Sequence, residues 1–167
     1  MSNVISWLGA IKRRRLFFGV AAFAAGFLMA QDVMASYALE AWDMDARRNA
    51  PLYLKIWLGT KVVTNLCAVF FLAQHRAARW VLGALLVGHL WIGIVEATGA
   101  FVVQGGMVSL GHIVIWAPAI IALLRHNAEI RIPSAYGVWA CAMLFFYGVS
   151  LIFDVRDATI WIGARVT

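Results

Sequence analysis

The stretch at 89–99, HLWIGIVEATG, holds a histidine and a glutamate among apolar residues. His89 and Glu96 are seven positions apart, a spacing that returns two side chains to one face of a helix. Histidine titrates near neutral pH and a carboxylate can give or take a proton, so this pair suits proton exchange or the binding of an ion. Gly93 and Ala100 lie on the same face, and their small side chains leave room for water.

Other polar side chains interrupt the neighbouring apolar runs, and their depth follows from the helical rise of about 1.5 Å per residue. A charge at the centre of a bilayer costs about 2.5–3.5 kcal/mol on insertion scales, so such residues normally face the interior of a helix bundle. We therefore predict one inward-facing polar seam that carries protons, ions or a small solute. The seam consists of the middle-level residues Lys61, Asn65 and His89, the outer-level residues Lys55, Glu96 and His112, Trp116 one turn deeper than His112, and Asp154 and Asp157 nearer the outer surface.

A purely structural network is the alternative interpretation of the same residues. In that case Lys55 or Lys61 neutralises Glu96, and the histidines form hydrogen bonds as neutral rings. Buried ion pairs can hold a fold without a further role. The sequence leaves both interpretations open.

Five apolar runs must position these residues. The chain has 167 residues, of which 63% are hydrophobic and 13% charged, whereas soluble domains are roughly 45–50% apolar. A helix needs about 20 mostly apolar residues to span a bilayer. Runs close to that length occur at 16–33, 51–72, 80–102, 108–124 and 134–153. We predict an all-α polytopic membrane protein with five transmembrane helices in a single bundle. The whole chain, 1–167, forms one domain, which includes a short amphipathic segment at 1–15 ahead of the first helix.

The net charge of the chain, +6, lies mainly in short basic clusters between the spans. Clusters at 12–15, 75–79 and 125–131 fall on one side of the predicted bundle, and lysine and arginine collect in cytoplasmic loops. We therefore expect the N-terminus inside, the C-terminus outside, and a multi-pass protein of the inner (plasma) membrane without a nucleic-acid partner. Four arginines oppose this rule, namely Arg47, Arg48, Arg156 and Arg165.

Cofactor and metal sites have weaker support in the sequence. His75 and His126 end the second and fourth spans on one side, and two facing histidines can ligate a b-type haem. Glu96, His112 and Asp154 are ligand types that suit zinc or copper, but they lie on three separate helices without local ligand spacing. We predict no metal site and leave the cofactor open.

Three classes of function are consistent with these features. The leading one is movement of protons, ions or a small solute along the seam. Because so small a chain encloses little volume, we expect it to act in a homo-oligomer or a larger membrane complex. The second is an accessory subunit of a membrane complex, with or without a cofactor. The third is an intramembrane enzyme using Glu96, His112 or the pair Asp154 and Asp157, whose carboxylates could activate a water. The sequence contains no phosphate-binding glycine loop and no serine elbow, which favours a protein that is not an enzyme.

Overall fold

The computed structural model describes residues 37–166. The amphipathic segment at 1–15 and the predicted first span at 16–33 lie outside the described residues and stay predictions. The regular elements within the described part are helices. They are α1 (Met44–Asn49), α2 (Leu52–Leu66, continued by a 3-10 helix at Cys67–Phe71), α3 (Arg76–Thr98), α4 (Gly105–Arg125), a 3-10 turn at Asn127–Glu129, and α5 (Ala135–Val166).

Four of these helices are long and apolar enough to cross a membrane. They are Leu52–Phe71, Arg76–Thr98, Gly105–Arg125 and Ala135–Val166. They correspond to the second, third, fourth and fifth predicted spans. This part of the chain is therefore helical as predicted, and its composition is that of a multi-pass membrane protein; the count of five spans and the orientation stay predictions.

Helix α5 is longer than the predicted fifth span, which ends at position 153. It contains 32 residues, which corresponds to about 48 Å at the helical rise per residue. The charged residues that follow position 153 are accommodated within the helix. Asp154 is buried, and Arg156 Nη2 lies 2.7 Å from Asp157 Oδ1, so these two charges compensate each other on the helix.

The core lies between α2, α3, α4 and α5, with α5 packed most extensively on α4 and α4 on α3. Small residues line the contacts, because they allow helices to approach closely where lipid supplies no hydrophobic driving force. The buried small residues of this core are Ala68, Ala77, Ala78, Ala84, Ala119, Ala122 and Ala140. Larger side chains, among them Leu123, Met143 and Tyr147, fill the remaining volume and are fully buried.

Gly106 marks a very close approach of α4 to α5. A Cβ atom at this position would overlap the Cβ of Trp161 and would lie 2.7 Å from the backbone oxygen of Asp157. Only glycine fits here without separating the two helices. The contact holds α4 and α5 in the register that brings their polar residues together.

One end of the described bundle, which we call the Arg131 end, is formed by the joints at 72–75 and 126–134. His75 Nδ1 lies 2.7 Å from Glu129 Oε2 across these joints. The imidazole ring of His75 also stacks on the ring of Tyr136, with 3.5 Å between their centroids. The joint before α3 and the joint before α5 are therefore on the same side.

The opposite end, which we call the Gln104 end, is organised around one side chain. Gln104 Oε1 accepts hydrogen bonds from Trp161 Nε1 at 2.8 Å and from Arg165 Nη2 at 2.7 Å, and Gln104 Nε2 donates to the backbone oxygen of Leu39 at 2.8 Å. Successive joints thus alternate between the two ends. A chain that crosses a membrane repeatedly requires this alternation.

Candidate functional site

Seven side chains from α2, α4 and α5 form a polar cluster inside the bundle, which we call the buried cluster. On each helix the members are three or four positions apart, so each helix presents one polar edge. All are buried except His112, which is half-buried. The members are Lys61 and Asn65 on α2, His112 and Trp116 on α4, and Tyr147, Ser150 and Asp154 on α5.

Asp154 is the acidic member, and only one of its two oxygens has a partner. The residue is 7% exposed. Oδ1 lies 3.2 Å from His112 Nδ1, whereas Oδ2 is buried and forms no hydrogen bond within the part of the chain that the structure describes. Nearly all buried polar atoms in proteins have a partner. The second oxygen is therefore a position at which a proton or another donor can bind.

Lys61 supplies the positive charge of the buried cluster. Its Nζ atom lies 3.7 Å from the centroid of the Trp116 ring and 3.4 Å from Ser150 Oγ. The face of an indole attracts an ammonium, most strongly where water is excluded. The carboxylate of Asp154 also attracts this ammonium electrostatically. A basic and an acidic side chain from different helices thus share one buried site.

Trp116 joins the polar members through stacked rings. His112 stacks on it at 3.9 Å between centroids, and Tyr147 stacks on it at 5.3 Å. The Tyr147 hydroxyl donates to Asn65 Oδ1 at 2.7 Å, and Asn65 Nδ2 donates to the backbone oxygen of Lys61 at 2.8 Å. The buried cluster is therefore one connected network rather than a set of separate pairs.

Five of the nine residues predicted for the seam meet in the buried cluster. They are Lys61, Asn65, His112, Trp116 and Asp154. The sequence prediction put them at two different depths, whereas the structure brings them to one site. Helix α5 accounts for this difference, because it continues to Val166 and reaches the Gln104 end with Trp161, so Asp154 lies inside the bundle and not at its end.

The polar edge of α3 differs from the prediction, because it points out of the described bundle. His89 and Glu96 are both exposed, and His89 Nδ1 pairs with the backbone oxygen of Leu85 at 2.8 Å. Helix α3 approaches its neighbours through a buried face that includes Ala77 and Ala84. That close packing turns the opposite edge, with the histidine and the glutamate, outward.

Glu96 has a partner that the sequence pattern did not predict. Arg47 Nη2 on α1 lies 2.6 Å from Glu96 Oε1. Lys55 instead donates to the backbone oxygen of Arg48, and Lys61 is part of the buried cluster. The network in which Lys55 or Lys61 neutralises Glu96 is therefore not the one that forms.

Two members of the buried cluster, Tyr147 and Ser150, are absent from the predicted seam. Both lie on the edge of α5 that ends in Asp154, at intervals of three and four residues. This spacing is the sequence signal that could have identified Tyr147 and Ser150 as members of the cluster. It becomes visible only when the fifth span is extended through Asp154.

His75, His126 and Asp157, which belong to the alternative haem and catalytic sites, each pair with a group outside those sites. His75 Nδ1 pairs with Glu129, and His126 Nδ1 pairs with the backbone oxygen of Ala122 at 2.9 Å. Asp157 pairs with Arg156 on the same helix. Within residues 37–166, no group of three or more histidine, cysteine, aspartate or glutamate side chains is placed to hold a metal ion.

Comparison with known proteins identifies no relative of this chain. No protein-family model, no curated protein and no solved structure matches it. The function must therefore be argued from the buried cluster and its position among apolar helices.

Proposed function

We propose that this chain is a small multi-pass membrane protein that binds protons at the buried cluster and transfers them across the membrane. The observation that carries the proposal is Asp154, whose Oδ2 atom is buried and without a hydrogen-bond partner in the described part of the chain. An ionisable side chain within a membrane-spanning segment is expensive and usually functional. A purely structural ion pair would be expected to satisfy both carboxylate oxygens.

The chemistry follows from the groups around Asp154. A proton that binds Oδ2 neutralises the carboxylate and weakens its attraction for the Lys61 ammonium and for His112 Nδ1–H. Loss of the proton restores both interactions. The protonation state of one carboxyl thus controls contacts between α2, α4 and α5, which provides a physical route for coupling proton binding to helix movement.

The orientation proposed for the protein puts the Arg131 end in the cytoplasm. This end carries the exposed residues Arg76, Arg79, Arg125 and Arg131, and cytoplasmic loops are enriched in arginine and lysine. The N-terminus would then be inside, the C-terminus outside and the protein in the inner membrane. Labelling single cysteines at both ends in intact cells with a membrane-impermeant reagent tests this assignment.

Proton flux in liposomes tests the function. The purified wild type, Asp154→Asn and Asp45→Asn are reconstituted with an entrapped pH dye, and a potential is imposed. We expect flux in the wild type and in the control variant Asp45→Asn, which changes an exposed acid on α1. Asp154→Asn should lower the flux about a hundredfold, the lower range for removal of a positioned acid or base. Equal flux in the wild type and Asp154→Asn, or no flux above that of empty liposomes, would overturn the proposal.

A further inference from the structure

A second titratable cluster lies at the Arg131 end, formed by His75, Glu129 and Tyr136. His75 Nδ1 lies 2.7 Å from Glu129 Oε2, and the side chains of His75 and Glu129 are 20% and 39% exposed, so water reaches both. Tyr136 stacks on His75 and is only 4% exposed. Its hydroxyl is buried and has no hydrogen-bond partner among residues 37–166.

This second cluster and the buried cluster share one edge of α5. Tyr136, Tyr147, Ser150 and Asp154 are all buried and follow one another at helical spacing on that edge. From Tyr136 to Asp154 the helix rises about 27 Å, close to the thickness of about 30 Å of the hydrocarbon core of a bilayer. A single helix edge therefore carries hydroxyl and carboxyl groups from one side of a membrane almost to the other.

An apolar layer separates the two clusters along this edge. The ring of Phe71 lies 5.2 Å from that of Trp139 and 5.6 Å from that of Tyr136, and Met143 beyond them is fully buried. Trp139 Nε1 donates to the backbone oxygen of Thr64 at 2.8 Å, which holds the indole across the layer. In this conformation the apolar layer blocks direct proton transfer between the two clusters, so any transfer between them requires the layer to open.

We propose that the His75–Glu129 pair is the site at which protons exchange with water at the Arg131 end, with the Tyr136 hydroxyl as the first relay toward the buried cluster. This inference rests on the proposed function. A proton leaves the His75 imidazolium or Glu129 carboxyl for the Tyr136 oxygen through an intervening water. The proton of the Tyr136 hydroxyl passes to a second water, which delivers it to Oδ2 of Asp154 when the apolar layer opens. One proton enters and one leaves the tyrosine, so its charge is unchanged after each transfer.

The other charged or titratable groups at this end are either held by backbone oxygens or exposed. Arg79 donates to the backbone oxygens of Leu72 and Ala73, and His126 is held by its own helix. Arg76, Arg125 and Arg131 are exposed. Arginine remains protonated at all relevant pH values, so none of these guanidinium groups exchanges protons.

The alternative role for His75 and Glu129 is that of a clasp between two joints. A clasp requires the stacked ring of Tyr136 but not its hydroxyl, whereas a relay requires the hydroxyl. Tyr136→Phe therefore separates the two roles, because it keeps the aromatic stack and removes only the group that transfers a proton. His75→Gln and Glu129→Gln likewise keep polar side chains at both positions but remove their titration.

Flux measurements on reconstituted protein test the inference, with His126→Gln as the matched control at the same end. We expect His75→Gln, Glu129→Gln and Tyr136→Phe each to lower proton flux on the order of tenfold, less than the hundredfold expected inside a site because water reaches this end. His126→Gln should keep wild-type flux, and the unfolding midpoint of Tyr136→Phe should stay near that of the wild type.

The possible failures are distinguishable. If the flux depends on Asp154 but Tyr136→Phe and Glu129→Gln both keep wild-type flux, the inference is overturned and the proposed function stands. If His126→Gln lowers the flux as much as His75→Gln, the assignment of the exchange site to His75 is wrong. If the wild type has no flux at all, the proposed function fails and takes this inference with it.

Discussion

The Nδ1 atom of His112 lies 3.2 Å from Oδ1 of Asp154, although the two residues are 42 positions apart in the chain. This contact joins α4 to α5 at the level where Lys61 enters from α2. It also explains why a helix with an aspartate in its interior continues, since the carboxylate has both a hydrogen-bond partner and a nearby ammonium. The arrangement leads to predictions about stability that do not depend on proton transfer.

Charge balance between Lys61 and Asp154 predicts a compensating double substitution. Lys61→Met leaves the carboxylate buried without its ammonium, and Asp154→Leu leaves the ammonium without its carboxylate. Each should lower the free energy of unfolding by about 3 kcal/mol, the cost of breaking a buried pair from one side. The double variant should return to within about 1 kcal/mol of the wild type, because both charges are gone. Unfolding by SDS titration in mixed micelles measures all three; strictly additive losses would show that the two charges do not interact.

Trp116 is predicted to contribute through its aromatic face as well as its volume. Trp116→Phe keeps a ring for Lys61 and His112 and should cost about 1 kcal/mol, since the ammonium binds a phenyl face less strongly than an indole. Trp116→Ala removes the ring from the centre of the network and should cost about 3–5 kcal/mol. The same micelle titration distinguishes these values. Equal losses in the two variants would contradict the prediction, because a phenyl ring at this position would then retain none of the stabilisation.

The contrast between α3 and α5 explains what sequence reasoning could and could not predict here. Apolar runs of adequate length predicted four helices correctly, because burial in lipid needs only composition and length. Helix rotation was harder, because the direction of an edge depends on which small residues meet in the packed helices. In α3 the buried face contains Ala77 and Ala84, and the polar edge with His89 and Glu96 therefore points out of the described bundle.

The end of α5 illustrates a second limit. A charge in an apolar run normally marks the end of a span, and this assumption placed the end at 153. Asp154 lies within the helix because His112, on another helix, is its partner. Such pairing between distant residues is absent from local sequence patterns. The sequence therefore predicted Asp154 as a polar residue of the seam but did not predict that Tyr147 and Ser150 lie beside it in the buried cluster.

Gly106 and Gly93 predict opposite outcomes for the same substitution. Gly106→Ala places a methyl group against Trp161 and the backbone of α5, so the helices must separate; the expected loss is about 1–3 kcal/mol of unfolding free energy. At Gly93 on α3, a methyl group would meet no neighbouring atom within 4 Å, and Gly93→Ala should be neutral or stabilising by up to about 1 kcal/mol through helix propensity. Thermal unfolding in detergent compares the two. A tolerated Gly106→Ala would contradict the close approach of α4 and α5.

The Arg47–Glu96 pair predicts a salt-dependent attachment of α1 to α3. The two side chains are 32% and 38% exposed, so their attraction is partly screened by solvent and should contribute no more than about 1 kcal/mol. Arg47→Glu replaces attraction with repulsion and should increase amide hydrogen exchange in Met44–Asn49. The swapped variant Arg47→Glu with Glu96→Arg should restore protection, and the difference between single and double variants should shrink in about 1 M salt, where the screening length falls to about 3 Å. Unchanged amide hydrogen exchange in Arg47→Glu, or no recovery of protection in the double variant, would contradict the pairing. In the proposed orientation Arg47 would oppose the positive-inside rule. A local carboxylate partner would give a physical reason for its tolerance on that side, because pairing reduces its free charge.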